Sequence, residues 1–148
     1  MKPIAKHFSE LSADELYEII KARISVFVVE QNCPYQELDG KDKAACHLYF
    51  KDENGIAAYL RVLPQGISYK EASIGRVITI KRGTGLGLKL LREGIAFAQK
   101  RFGADKIKIG AQLYARGFYE KAGFRQSGGE YLEDGIRHIE MMWEKTGE

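Results

Sequence analysis

Residues 72–91 read ASIGRVITIKRGTGLGLKLL. The first nine, rich in β-branched residues, suit a buried strand. From Leu86 onward, Leu86, Leu90, Leu91, Ile95, Ala98 and Phe102 form one apolar stripe at helical spacing, with Gly103 placed to end the helix. Gly83, Gly85 and Gly87 lie at the junction, at alternate positions. A strand that turns directly into a helix confines the chain to a layered α/β arrangement. It also leaves backbone N–H groups in the turn with no partner in either element. Glycine lets such a turn fold with positive φ and lets a ligand approach the backbone closely. The free N–H groups and the helix start together favour a phosphate. Hydrogen bonds to a charged acceptor contribute roughly 1.5–3 kcal/mol each, so several of them outweigh a helix-dipole effect of roughly 0.3–1 kcal/mol.

The remaining elements assemble around this unit. Pro3 to Phe8 suits a short strand. Ser12 and Glu15 form a capping box, and the stripe Leu16, Ile19, Ile20, Arg23, Ile24 and Phe27 predicts a helix from about Ala13 to about Val28. EQNCPYQELDGKDKAAC is irregular, with room for one helical turn. CHLYFKD and IAAYLRVL flank Glu53-Asn54-Gly55, a strong hairpin signal. KIKIGAQ is a further strand, Tyr114 to Lys121 a short helix closed by Gly123, and two last strands flank Glu133-Asp134-Gly135. The order predicts a mixed α/β layer with one central sheet flanked by helices.

At 148 residues the chain fits one domain, residues 1–148, with one core. Its net charge of +3 is too small to argue for nucleic acid. The longest apolar run in the first helix, VFVV, cannot span a membrane, and the N-terminus carries no signal-like run, so a cytoplasmic location is expected. Cys33 and Cys46 match neither a zinc site nor a redox pair; they read as buried thiols, and no metal is expected.

Three phosphate-binding patterns compete for the glycines. A Walker loop fails because Gly87 is followed by Leu88. A dinucleotide fingerprint fails because Leu88 and Leu90 stand where its last glycine belongs. R-x-x-G-x-G is met by Arg82, Gly85 and Gly87. A glycine-rich turn without a ligand is the bland alternative.

Arg82-x-x-Gly85-x-Gly87 resembles the pyrophosphate loop of the GNAT acyltransferases, which bind acetyl-CoA. About thirty residues on, Phe118, Tyr119, Glu120, Lys121, Gly123 and Phe124 resemble the FYEKxGF signature of the same superfamily. RISVFVVEQNCPYQELDGKD (23–42), IGRV (74–77), GAQ (110–112) and EYLEDGIRHIEM (130–141) are similar to its ElaA-like branch. The segment from IGRV to Arg82 is shorter than is usual there.

The resemblance implies the GNAT fold and acetyl transfer from acetyl-CoA to an amine of a small molecule or peptide, without a covalent enzyme intermediate. A non-catalytic acetyl-CoA sensor is the alternative. In the family the pantetheine arm pairs with the fourth strand, here around Ile74 to Thr79, beside a splayed gap. A backbone N–H near Val77 or Ile78 then polarises the thioester carbonyl. The cofactor residues implied are Val77, Ile78, Thr79, Arg82, Gly83, Thr84, Gly85, Leu86, Gly87 and Phe118. Tyr119 is the implied acid for the departing sulfur, since a phenol stays protonated at neutral pH. Glu30, His47 and His138 compete as base, with an ordered water as the alternative, and Gln31, Tyr35, Arg76, Gln112 and Tyr131 are candidates for the acceptor pocket. A homodimer is compatible with the fold.

Overall fold

The computed structural model describes residues 2–146. Ser12 opens the first helix, α1 (Ala13–Ile24), as its sequence requires. Its Oγ accepts from the Glu15 N–H at 3.0 Å, and Glu15 Oε1 accepts from the Ser12 N–H at 2.8 Å. The helical path continues beyond the expected end, but as a π-helix over Ser25–Glu30. Stiff valines at 26, 28 and 29 crowd a regular α-turn, and the backbone widens there.

Four strands, β1 (Ile4–His7), β2 (Cys46–Asp52), β3 (Gly55–Leu63) and β4 (Ser73–Thr79), pair antiparallel in the order β1-β2-β3-β4. Glu53-Asn54 turns β2 into β3, and the Asn54 N–H donates to Asp52 Oδ1 at 2.8 Å. β5 (Lys106–Gln112), β6 (Arg125–Glu133) and β7 (Ile136–Glu144) form a second antiparallel sheet, ordered β5-β7-β6. The expected single central sheet is therefore two. They meet where Ala72 bridges Ile107 in parallel sense, secured by Lys108 N–H to the Ala72 carbonyl at 2.9 Å and Ser73 Oγ to the Lys108 carbonyl at 2.7 Å. Beyond Ser73 the strands β4 and β5 diverge, because the twist of each sheet carries its edge away from the other.

Helix α2 (Leu86–Phe102) packs on the first sheet, against β2, β3 and β4. Its Leu90, Leu91, Ile95 and Ala98 belong to one buried core with Leu60 and Ile74 of that sheet and Ile107, Ile109, Ile139 and Met141 of the second. Gly103 ends it in a left-handed conformation, φ 61°, and the Ala104 N–H closes the turn on the Ala98 carbonyl at 3.2 Å. The smaller core beneath α1 gathers Ile19, Val26, Tyr49, Tyr59 and Ile78. The short helix expected from Tyr114 is a 3-10 turn (Leu113–Ala115) followed by α3 (Arg116–Lys121). Both cysteines are buried thiols, as expected.

Candidate active site

The divergence of β4 and β5 opens a cavity of about 860 Å³. Along one wall run Arg76, Val77, Ile78 and Thr79 of β4; opposite lie Gln112 of β5 and Tyr131 and His138 of the second sheet. Phe118 and Tyr119 of α3, and Glu30, Gln31 and Tyr35 from the segment after α1, complete it with Arg82. Every candidate catalytic and acceptor residue except His47 thus faces one space. Gly83, Thr84, Gly85, Leu86 and Gly87 lie beyond it, at the start of α2.

The β4 wall is bulged. Tyr59 pairs with Ile78 and Arg61 with Gly75, so Arg76 and Val77 together oppose Leu60. Arg76 sits in the left-handed region at φ 52°, which is rare for a residue with a side chain. Its guanidinium explains how the strain is held. Nε lies 2.5 Å from Glu37 Oε1, Nη2 donates to the Glu37 carbonyl at 3.0 Å and contacts Asp39 Oδ2 at 3.3 Å, and the group stacks 5.7 Å from the Tyr35 ring centroid. Arg76, a candidate for the acceptor pocket, therefore contributes wall rather than a free charge.

Glu37 continues the network inward. Fully buried Arg23 pairs with Glu37 at 3.0 Å and Asp42 at 2.6 Å, and Arg61 pairs with Asp39 at 2.6 Å and Asp42 at 2.9 Å. Burial pushes the Asp39 and Asp42 carboxyls up, but the guanidiniums outweigh it and hold both well below the usual carboxylate range. His47 belongs to this network and is corrected as a base. It is 0% exposed; Nε2 donates to the Asp42 carbonyl at 3.1 Å, and Nδ1 accepts from the Tyr59 hydroxyl at 2.7 Å. Neither nitrogen is free, and burial lowers its basicity. The signal for the network was Arg23 itself, a charge inside an apolar helical stripe.

Tyr119 packs edge-to-face on Phe118 at 5.2 Å and Phe124 at 5.8 Å. No side-chain hydrogen bond engages its hydroxyl among the described residues, and burial pushes the phenol above its ordinary range. Glu30 and Arg82 reach across the cavity mouth to each other, Oε1 to Nη1 at 2.5 Å, and Gln31 and Gln112 exchange amide hydrogen bonds of 2.9 and 3.2 Å. The end of the π-helix is thereby strapped to both sides of the gap. His138 is buried, its Nδ1 2.7 Å from the Ile136 carbonyl and its Nε2 3.5 Å from Glu133 Oε2.

In the glycine turn, Gly83 and Gly85 take φ 77° and 78°. The N–H groups of Arg82, Gly83, Thr84 and Gly85 make no backbone hydrogen bond among the described residues. Thr84 Oγ1 donates to the Lys81 carbonyl at 2.8 Å, which fixes the turn. A side chain at Gly87 would collide with Thr79 Oγ1, so α2 starts as close to β4 as backbone permits. A free strand edge and an unpartnered phenol on one gap, with a bare turn of spare donors beyond it, together suit a long phosphate-bearing thioester.

A family model described as an acetyltransferase (GNAT) domain matches residues 7–145. The chain belongs to the GNAT acetyltransferase family. Within this family it is 37% identical over 142 residues to protein ElaA of Escherichia coli, covering 93% of each chain. It is also 37% identical over 145 residues to a UPF0039 protein of Schizosaccharomyces pombe, covering 95% of each. The crystal structure of Escherichia coli ElaA superposes with a TM-score of 0.88 at 35% identity, covering 97% of this chain and 99% of that one. An acyl-CoA N-acyltransferase from Pseudomonas aeruginosa gives 0.89 at 34% identity over the same shares. The GNAT fold and the ElaA-like branch expected from the motifs are both met.

Proposed function

We propose that the protein transfers the acetyl group of acetyl-CoA to a primary amine of a small molecule or peptide by direct attack. The observation that carries this reading is the convergence on one gap of the bulged β4 edge and the unpartnered Tyr119 hydroxyl, with the open glycine turn following Arg82 of its lining. Bound acetyl-CoA supplies an acetyl group already activated as a thioester. The N–H groups from Arg82 to Gly87 hold the pyrophosphate, with Leu86 at the helix start and the Arg82 guanidinium alongside. The free edge of Val77, Ile78 and Thr79 receives the extended arm as an added strand, while Phe118 closes the gap beneath it. A backbone N–H at the Val77–Ile78 bulge polarises the carbonyl. Tyr119 donates its proton to the departing sulfur. Among the three bases considered, His138 alone pairs burial at the cavity wall with a ring nitrogen free of backbone partners.

Calorimetric titration with acetyl-CoA tests the reading, with ATP and NAD as controls. Selective micromolar binding of acetyl-CoA is expected; tight binding of ATP or NAD with none of acetyl-CoA overturns it. Glu30 gives a second test, because its carboxylate occupies the guanidinium that the pyrophosphate needs. Both groups are about half exposed, so the pair is weak. Glu30→Gln should therefore lower the KM for acetyl-CoA by about two- to fivefold with kcat nearly unchanged. A large fall in kcat would instead restore Glu30 as the base.

A further inference from the structure

We infer that Glu133 and His138 capture the acceptor as an alkylammonium ion, and that this pair selects amines with no carboxylate beside the reacting nitrogen. The inference rests on the acetyltransferase reading above and names the substrate class of that site.

The argument begins with register. His138 lies opposite Gln112 of β5 and opposite Tyr131 of β6, so these side chains share the sheet face that lines the cavity. A side chain at Gly110 on that face would collide with the Tyr131 hydroxyl and stand 3.5 Å from the Tyr69 hydroxyl; glycine there makes room for both phenols. The Tyr131 ring stacks on the His138 imidazole at 5.5 Å and 25°.

The hydrogen-bond chemistry is then constrained. A carbonyl only accepts, so the His138 Nδ1 that contacts the Ile136 carbonyl carries the hydrogen. In the neutral ring Nε2 is a bare lone pair. Its neighbour, Glu133 Oε2 at 3.5 Å, is also an acceptor. The residue holding that lone pair is only 7% exposed, so little water reaches it. With the ring neutral, two facing acceptors with no donor between them are complementary to a proton-rich group. A primary ammonium brings three N–H donors and serves both at once, while Tyr35, Tyr69 and Tyr131 offer its alkyl stem aromatic walls.

The other charges around the cavity are already matched. Arg61 is paired with Asp39 and Asp42, Arg76 with Glu37 and Asp39, and Arg82 with Glu30. Glu133 and Asp134, by contrast, meet no guanidinium or ammonium among the described residues. For a carboxylate on the acceptor the lining offers, among the described residues, only Lys41 as a cation without a carboxylate partner, and its Nζ donates to Ser68 Oγ at 2.9 Å.

The proton balance closes. The ammonium gives one proton to His138 Nε2, and the imidazolium formed pairs with Glu133. The freed amine lone pair forms the C–N bond as the C–S bond breaks, and the sulfur takes the Tyr119 proton. The new amide nitrogen releases its surplus proton to water, from which Tyr119 is reprotonated, and His138 returns its proton to bulk. One proton is released per turnover.

Pentylamine and norleucine differ by a single carboxylate beside the amine and are the probes. Thiol release is measured at saturating acetyl-CoA, with acetyl-CoA binding followed separately by calorimetry. Wild-type protein should favour pentylamine over norleucine in kcat/KM by at least about tenfold. Glu133→Gln should raise the KM for pentylamine about two- to fivefold, the loss expected for a charge pair screened by solvent, and leave the acetyl-CoA Kd unchanged. Glu133 is mostly exposed, so folding is not at stake, and Glu133→Asp should recover part of the loss. Equal or better use of norleucine, or an unchanged KM in Glu133→Gln, overturns the inference. So does a protein that binds acetyl-CoA but acetylates neither amine, and the cofactor reading then still stands. A folded protein that binds no acetyl-CoA overturns both.

Discussion

Tyr119→Phe should lower kcat by about a hundredfold while acetyl-CoA binds as before, the low end of what a positioned acid contributes. The low end is expected because the leaving thiol is a good one, with a cysteine-like pKa of about 8.5. Phenylalanine keeps the ring packed on Phe118 and Phe124 and removes only the proton donor. Steady-state thiol release beside calorimetry separates the two effects. Because burial raises the phenol above its ordinary value, the donor stays protonated as pH rises, and kcat should show no loss from Tyr119 below about pH 10. Equal turnover of the variant and wild-type proteins would remove the acid role.

Arg23→Met should cost about 3 kcal/mol of stability in a denaturant titration, the lower bound for removing one partner from a buried ion pair. Methionine fills much of the space but leaves Glu37 to Arg76 alone and Asp42 to Arg61 alone. The pH dependence carries a sign. Asp39 and Asp42 have folded pKa values below their unfolded ones, so their stabilisation is full above roughly pH 4 and is lost as pH falls. Without Arg23 the Asp42 carboxyl moves back up, and acid unfolding should begin at a higher pH than in the wild-type protein. A variant with unchanged stability and an unchanged acid limb would mean that the network contributes nothing net. The same substitution should also reduce kcat, since Glu37 holds Arg76 in the bulge that shapes the β4 edge.

What was legible in the sequence was local. The glycine turn, the stripe from Leu86 to Phe102, the capping box at Ser12 and the hairpin at Asn54 are all written within a few residues. The structure follows them closely. The split of the sheet was not legible, because strand patterns say which residues pair but not where twist pulls two edges apart. His47 and His138 both sit in strands and read alike; only their partners across the fold, Tyr59 and Asp42 against Glu133 and the Ile136 carbonyl, separate them. Glu133 passed as a turn residue because Asp134-Gly135 beside it is so strong a turn signal. The π-helix had no signature beyond a run of valines.

That wide turn at Ser25–Glu30 has an evolutionary consequence. An extra residue is accommodated there, and a one-codon deletion would let the backbone relax to an ordinary α-helix. Because the wide turn absorbs that residue within a single turn, the chain on either side of the deletion would keep its direction. Glu30 and Gln31 would stay on Arg82 and Gln112, and the capping box at Ser12 and the two sheets would stay as they are. A lineage of such proteins can therefore gain or lose a residue beside its substrate cavity in a single genetic step, without re-evolving the machinery around it.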